Sequence, residues 1–291
     1  MNSLISDPSK NLAPFRSQLI KWIGNKQRFA DEIISYFPRN FKGYYEPFLG
    51  SGAVLGTLAP TKGFGSDTYQ PLIGIWEALV DQPETLIDWY TRRYQKFVNG
   101  ADRRTEYEKI KSSFNKDPNP EDFIFLTRSC YGGVIRFRKD GYMSTPLGIH
   151  DPISPESFTR RVKTWNERTR GTTFKCCDFR EAISSAKKND LIYCDPPYVD
   201  SQSILYGAQD FTLDSLLNEI DRAKSKGVFI ALSIDGTKKS GNRKVKIDLP
   251  ADLFPQTKFV NCGASMLRRF QIEGKTSVGE AVKDKLLLSW R

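Results

Sequence analysis

The sequence predicts an α/β fold, and three features of the chain support that prediction. Between residues 43 and 67, a strand, a glycine-rich turn, a helix and a second strand ending in an acid follow one another. Strands and helices alternate again after Gly171. Residues 76–170, by contrast, are rich in polar and charged side chains, and this block is predicted to be mostly helical. A β-α-β unit of this kind forms a parallel sheet with helices on its faces. The intervening block is predicted to be an insert that forms a second, smaller domain.

The elements follow from apolar spacing and from residues that end helices. Phe29, Ile33 and Phe37 recur at helical spacing before Pro38 ends that helix. The main domain is predicted at 16–75 and 171–291, after a loose, polar N-terminal arm at 1–15. Its predicted strands are 43–48, 64–67, 172–177, 191–194, 228–234, 258–261 and 285–290, and its further helices are 53–58 and 212–226. The helices predicted in the insert are 84–97, 104–114 and 121–130.

Composition favours a globular protein with a polyanionic partner. The chain has 44 lysines and arginines against 34 acids, a net charge of +10, and a basic excess of this size favours nucleic acid. None of the five cysteines forms a C-x-x-C pair and His150 is the one histidine, so no metal site is predicted. No apolar run approaches the roughly 20 residues of a membrane span. The N-terminus has no signal-peptide pattern, and a cytoplasmic location is therefore predicted.

The tetrad Asp195-Pro196-Pro197-Tyr198 is the most informative motif, because it follows an apolar strand at 191–194. A carboxylate accepts hydrogen bonds, prolines stiffen a loop and aim their carbonyls, and a tyrosine offers a stacking face. This combination can hold a flat, amine-bearing ring and favour a pyramidal nitrogen with an available lone pair. A plain strand end followed by a Pro-Pro turn is the structural alternative.

A second motif combines a glycine turn with an acid. Gly50 and Gly52 follow the strand at 43–48, and Asp67 ends the next strand. Glycines let the backbone approach a ligand closely, and an acid at this position can accept both hydroxyls of a ribose. The chain has neither G-x-G-x-x-G nor the phosphate loop G-x-x-x-x-G-K-[ST]. S-adenosylmethionine, a cofactor without phosphates, therefore fits the pattern better than NAD or ATP.

Together these motifs resemble those of the Dam-type (class alpha, D12) DNA adenine-N6 methyltransferases. The stretches that carry the resemblance are K-W-I-G-N-K at 21–26, E-P-F-L-G-S-G at 46–52, G-S-D at 65–67, Y-C-D-P-P-Y at 193–198 and, more loosely, 131–136 leading to 145–148. They occur in the family's order from about residue 19 onwards. The resemblance implies a Rossmann-like S-adenosylmethionine-dependent methyltransferase fold with an inserted, mostly helical target-recognition domain at 76–170.

The resemblance also implies roles for individual residues. The tetrad would bind and stack on an adenine flipped out of duplex DNA, and the adenine amine would attack the methyl group without a covalent enzyme intermediate. Expected cofactor contacts are Trp22, Lys26, Phe48, Gly50, Gly52, Asp67, Asp178 and Phe179. Expected DNA contacts, from family positions and basic clusters, are Arg128, Tyr131, Arg136, Arg138, Lys139, Pro146, Arg268 and Arg269. Arg136 stands where the family has a base-reading arginine.

Other substrates and other classes of protein stay open at this point. The same fold could methylate RNA adenine, cytosine N4 or a protein glutamine amide, although the basic insert favours duplex DNA and the acid at 195 favours adenine. A catalytically silent DNA-binding protein and a nucleotide-dependent oxidoreductase fit the intact tetrad less well. A monomer is expected, in a bacterial, archaeal or phage-infected cell, and a cognate restriction endonuclease is a candidate partner. The sequence leaves the recognition site open.

Overall fold

The computed structural model describes residues 15–197, 211–234, 252–261 and 283–291. Its strands are β1 (Tyr44–Glu46), β2 (Gly63–Asp67), β3 (Thr172–Cys176), β4 (Leu191–Cys194), β5 (Phe229–Ile234), β6 (Gln256–Asn261) and β7 (Lys283–Leu288). Its helices are α1 (Ala30–Ser35), α2 (Ala53–Leu58), α3 (Gln70–Asp81), α4 (Pro83–Asn99), α5 (Arg103–Lys116), α6 (Pro120–Ser129), α7 (Pro155–Thr169), α8 (Phe179–Ser185) and α9 (Leu213–Ser225). Tyr198, Arg268, Arg269 and the first 14 residues, which include nearly all of the predicted arm, lie outside the described residues.

The strands form one seven-stranded sheet in the order β3-β2-β1-β4-β5-β7-β6. The first five strands of that order run parallel, whereas β7 is antiparallel to both β5 and β6. Ile234, at the carboxyl end of β5, pairs with Lys285 near the start of β7. The amino end of β7 therefore lies at the same sheet edge as the carboxyl ends of the parallel strands. Ligands bind outside that edge in open α/β sheets.

Alternate residues of the central strands face two different hydrophobic clusters. Tyr193 and Ala231 belong to a cluster shared with α1 to α7, while Ile192 and Leu232 belong to one shared with α8 and α9. Helices thus cover both faces of the sheet, which explains why the central strands are continuous apolar runs without polar alternation. The α/β architecture predicted from the sequence is confirmed. Among the described residues, no helix has the length and apolar character to cross a bilayer.

Several helices begin at a residue whose side chain accepts a hydrogen bond from a backbone N–H in the first turn. These N-cap residues are Asp102, Asn119, Ser154, Asp178 and Thr212. Such caps satisfy N–H groups that have no partner inside the helix. The Ser154-Pro155 and Asp178 signals mark α7 and α8, which apolar spacing alone did not reveal. Gly227 follows α9 with a φ of +81°, as expected for a glycine after a helix C-terminus.

The helices of the predicted insert share a buried core with the sheet. α3 begins at Gln70, ahead of the predicted boundary at 76. Trp76 of α3 stacks on Phe174 of β3, with ring centroids 5.6 Å apart, and also contacts Trp165 of α7 at 5.3 Å. A Cβ on Gly56 of α2 would lie 2.2 Å from the Trp165 ring, so α7 also packs closely on α2. The block is mostly helical, as predicted, and its division into a separate domain at 76–170 stays a prediction.

Candidate active site

A cavity of about 280 Å³ opens at the carboxyl edge of the sheet. It is lined by residues from the loop before α1, from the ends of β1, β2 and β4, and from the start of α8. The predicted site residues that line it are Trp22, Lys26, Phe48, Gly50, Asp67, Asp178, Phe179, Asp195, Pro196 and Pro197. Gly52 does not line it: this glycine is the N-cap of α2, where its Cβ would meet the Trp76 ring at 3.1 Å. The predicted motifs for cofactor and target thus meet at one cavity.

The glycine turn, the acid of β2 and the indole of Trp22 form one packed unit. Gly50 has a φ of +47°, and a Cβ on it would lie 2.8 Å from Cδ1 of Trp22. Its N–H donates to Oδ2 of Asp67 at 3.2 Å, and the N–H of Tyr69 donates to Oδ1 at 3.3 Å. Burial raises the pKa of Asp67, while these backbone donors oppose the rise. A glycine is required at position 50 both by the positive φ and by the contact with Trp22.

Aromatic rings form one wall of the cavity. Phe48, after β1, stacks on Phe179 of α8 with ring centroids 5.4 Å apart. The ring of Phe211 forms a T-shaped pair with each of them, with ring centroids 5.8 Å apart in both cases. Asp178 caps α8 and forms an exposed ion pair with Arg180 at 3.1 Å. The sequence did not reveal Phe211, because it lies well beyond the tetrad and belongs to no motif.

A buried ammonium group joins the tetrad to the last strand of the sheet. Nζ of Lys26 lies 3.1 Å from Oδ1 of Asp195 and 3.4 Å from Oδ2 of Asp284. Lys26 itself is 6% exposed. Asp284 belongs to β7, and the sequence analysis missed it because it stands alone, one residue before the predicted strand. Within the described ranges, no group of three or more His, Cys, Asp or Glu side chains could hold a metal ion.

Glu46, at the end of β1, is a second acid that the sequence analysis did not assign to the site. Its Oε2 accepts hydrogen bonds from the hydroxyl of Tyr44 at 2.7 Å and from the N–H of Leu55 at 2.9 Å. Burial raises the pKa of Glu46 from its ordinary value of 4.5 to about 8, against the opposing effect of the Tyr44 hydroxyl, and the charge of Asp195 adds to the rise. Glu46 is therefore mostly protonated at neutral pH. The Glu46-Pro47 pair at a strand end is the signal that could have identified it.

Most of the described residues predicted to contact DNA are exposed on one loop after α6. Tyr131, Arg136, Arg138, Lys139 and Pro146 are all exposed there. The loop folds back on itself, since the N–H of Tyr131 donates to the carbonyl of Pro146 and Phe137 pairs with Met143 in an isolated antiparallel bridge. Buried side chains of Phe137 and Met143 anchor it to the protein. We refer to residues 131–148 as the exposed loop.

Arg128, also predicted to contact DNA, is buried in the structure. It is only 4% exposed, and its guanidinium donates to the carbonyl oxygens of Gln18 at 3.0 Å and Leu19 at 2.9 Å. α6 is buried around most of its surface, so a basic residue near its end points into the protein. Arg128 therefore anchors the segment that leads to Trp22, and its contact with DNA stays a prediction that its burial disfavours.

Comparisons with known proteins agree with this geometry. A family model described as D12 class N6 adenine-specific DNA methyltransferase matches residues 22–248. The Retron Ec67 DNA adenine methylase of Escherichia coli is 28% identical over 231 residues, which cover 76% of this chain and 78% of that protein. The Type II methyltransferase M1.LlaDCHI of Lactococcus lactis subsp. cremoris is 26% identical over 248 residues, which cover 79% and 84% respectively.

The family match and the observed sheet confirm the predicted Rossmann-like methyltransferase fold. A solved rRNA methyltransferase, AviRa from Streptomyces viridochromogenes, aligns over 89% of this chain and 83% of its own with 10% identity. The TM-score of 0.33 is too low for that likeness to inform the fold. The family model, by contrast, covers well over half of the sequence and includes the glycine turn, the acid of β2 and the tetrad. This chain therefore belongs to the D12 class of N6 adenine-specific DNA methyltransferases.

Proposed function

We propose that this protein transfers a methyl group from S-adenosylmethionine to N6 of an adenine flipped out of duplex DNA. The observation that carries the proposal is that Asp195, Pro196 and Pro197 open onto the same cavity as Gly50 and Asp67. A nucleophile held by the tetrad and a donor held by the turn would thus face each other. Similarity to proteins named DNA adenine methylases supports the choice of base and polymer.

The residues around the cavity fit a cationic cofactor that lacks phosphates. The acids Asp67, Asp178 and Asp195 line it together with one cation, Lys26. Asp67 would accept hydrogen bonds from the ribose, the Phe48–Phe179 stack would contact the adenine, and Trp22 would cover the cofactor beside Gly50. Acidic and aromatic groups stabilise a sulfonium. When bound, the cofactor supplies an activated methyl group.

The chain's own contribution would be to orient the target amine. Nζ of Lys26 lies 3.1 Å from Oδ1 of Asp195 and would orient the carboxylate to accept a hydrogen bond from the exocyclic N–H. The Pro196 carbonyl would accept the second one, because a proline carbonyl is held in a fixed direction. Both acceptors favour a pyramidal nitrogen whose lone pair faces the methyl group, so that positioning supplies much of the rate. Water can take the proton, and Tyr198 is proposed to stack on the flipped base.

The exposed loop is the proposed contact with DNA. Arg136, Arg138 and Lys139 are exposed on it, and the chain as a whole carries a net charge of +10. Cations of this kind bind phosphates or the acceptor edge of guanine. Tyr131 is 42% exposed and could stack on a base, with Pro146 beside it. Arg268 and Arg269 are proposed as further contacts.

The proposed setting is the cytoplasm of a bacterial, archaeal or phage-infected cell. Relatives include a Type II methyltransferase and a phage P1 DNA N-6-adenine-methyltransferase. The first of these favours a restriction-modification role in which a cognate endonuclease is the partner. A monomer is proposed.

Transfer of a labelled methyl group tests the proposal. The protein is incubated with S-adenosyl-[methyl-³H]methionine and duplex DNA, RNA or a protein mixture, and the labelled product is hydrolysed and identified. The expected product is N6-methyladenine in duplex DNA. Asp195→Ala should abolish transfer while DNA binding persists, and Asp221→Ala, an exposed acid of α9, is the matched control. Label in cytosine, RNA or protein, or normal turnover by Asp195→Ala, contradicts the proposal.

A further inference from the structure

We propose that Asp284 is a positioning residue for methyl transfer, which acts by fixing Lys26 and, through it, the carboxylate of Asp195. This inference rests on the proposed function and extends it to β7. The family match ends at residue 248, so nothing in that match assigns a role to Asp284. The evidence is the geometry of the three groups, the topology that brings them together and their burial.

The sheet topology explains why an acid of β7 reaches the tetrad. β7 is antiparallel to β5, and its amino end therefore lies beside the carboxyl ends of the parallel strands. Asp284 is the second residue of β7, while Asp195 directly follows β4. In a wholly parallel sheet the start of this strand would lie at the opposite edge, far from the cavity.

The three charged groups are in direct contact, with the ammonium of Lys26 between the two carboxylates. Nζ of Lys26 is 3.1 Å from Asp195 and 3.4 Å from Asp284. The side chains of Lys26, Asp195 and Asp284 are 7%, 18% and 11% exposed, so bulk water cannot easily replace a lost partner. An ammonium group has three N–H donors and a flexible stem, and a single carboxylate would not fix its direction. The second carboxylate restricts Nζ to a position from which it holds Oδ1 of Asp195.

The other acid nearby is a poor substitute for Asp284. Glu46 is held by Tyr44 and Leu55, and its raised pKa of about 8 keeps it mostly neutral at neutral pH. It therefore supplies little negative charge towards Lys26. Replacing Asp284 by Asn would remove one of the carboxylates that contact the ammonium, so that Nζ would hold Asp195 in a less defined position. The acceptor presented to the target amine would shift accordingly.

A double-mutant cycle tests the inference. The variants are Asp284→Asn, Lys26→Met and their combination, with Asp221→Asn as a matched control that exchanges an exposed acid for its amide. For each, kcat, KM for DNA and the Kd for DNA are measured, together with the unfolding midpoint in urea. Asp284→Asn is expected to lower kcat roughly 10- to 100-fold, the range that a misplaced reacting group produces, with the Kd for DNA within about twofold of wild type. In the Lys26→Met background the same change should have no further effect on kcat, because the group through which it acts is gone.

The outcomes separate this inference from the proposed function. If wild type does not methylate adenine in DNA, the proposed function fails and the inference falls with it. Three results with an active wild type would overturn the inference alone. The losses in kcat of the two single variants multiply in the double variant, Asp284→Asn leaves kcat unchanged, or Asp284→Asn weakens DNA binding instead of lowering kcat. Should Asp284→Asn not fold, the cycle is repeated with Asp284→Glu. If Asp284→Glu lowers kcat in the presence of Lys26 but not in the Lys26→Met background, the inference is supported. If it lowers kcat in both backgrounds, the inference is refuted.

Discussion

The buried acid at the end of β1 makes the stability of this protein depend on pH in a specific way. Glu46 has a raised pKa of about 8 because burial disfavours its charged form. Glu46→Gln imitates the protonated acid and keeps an oxygen that can accept from Tyr44 and Leu55. The variant no longer titrates at this position. Comparison of the two proteins therefore isolates the proton on Glu46 from the other titrating groups, which both proteins share.

The size of the effect follows from the two pKa values. A folded pKa above the unfolded one gives stability that is fully present below the unfolded pKa and is lost as the pH rises through the folded pKa. The rise from 4.5 to about 8, at about 1.4 kcal/mol per pKa unit, amounts to about 5 kcal/mol in total. About 2–3 kcal/mol of this is lost between about pH 5.5 and pH 7.5. Over that interval the free energy of unfolding of Glu46→Gln, relative to that of wild type, should therefore rise by about 2–3 kcal/mol.

Urea denaturation followed by circular dichroism measures this difference. Both proteins are unfolded at several pH values from about 5.5 to 9, and the difference is expected to rise with pH and to level off above the folded pKa. Glu167→Gln, which exchanges an exposed acid of α7 for its amide, is the matched control. A constant difference for Glu46→Gln would refute the reasoning, since it would mean that Glu46 is charged throughout.

Three further predictions concern the cofactor turn and the two kinds of arginine. Gly50→Ala would place a Cβ 2.8 Å from Trp22 at a residue whose φ is +47°, and it should weaken S-adenosylmethionine binding, measured by calorimetry, by about 1–3 kcal/mol. The control is Gly141→Ala, also at positive φ but in the exposed loop; an equal loss of cofactor affinity in that variant would contradict the explanation. Arg128→Met removes a donor of the buried Leu19 carbonyl, while the Gln18 carbonyl keeps a hydrogen bond from Arg161, and should lower the free energy of unfolding by about 1–3 kcal/mol. Unchanged stability with weakened DNA binding would instead support the predicted DNA contact. Arg136→Ala should weaken DNA binding by about 1–3 kcal/mol and relax the sequence preference at one base, while the unfolding midpoint stays unchanged. If DNA binding weakens equally on all sequences, Arg136 contacts a phosphate instead.

Local patterns predicted the parts of the fold that are fixed by neighbouring residues. The run at 191–194 became β4 with the predicted bounds, because a short apolar segment ended by Asp195 and two prolines has few other structures available. The order of strand, glycine turn and acid placed Gly50 beside Asp67, since the carboxyl ends of neighbouring parallel strands share one edge. In the same way, the sequence brought most of the predicted cofactor residues to the cavity.

The features that the sequence did not reveal depend on contacts between distant segments. Asp284 joins the site because β7 is antiparallel, and the direction of a strand within a sheet is not encoded in its own residues. Arg128 looked like a nucleic-acid contact because it precedes a basic, glycine-rich loop, and its burial follows from the packing of α6 on all sides. The raised pKa of Glu46 likewise arises from its burial among distant segments and from the charge of Asp195, against the opposing hydrogen bonds from Tyr44 and Leu55.

The close packing of Trp165 between α2 and α3 has a consequence for engineering. An exchange of the whole block 76–170 between relatives would disrupt the buried contacts of Trp165 with Gly56 and of Trp76 with Phe174. The residues on both sides of these contacts would have to be redesigned to pack together. The exposed loop at 131–148 is instead held by its own backbone hydrogen bonds, by a few buried anchors and by hydrogen bonds between its backbone and the side chains of Tyr107 and Asn115 of α5, which an exchange of the loop alone would keep. For a chimera with altered sequence preference, this loop is the smaller transplantable unit, and the remaining helices are best left with the sheet on which they evolved.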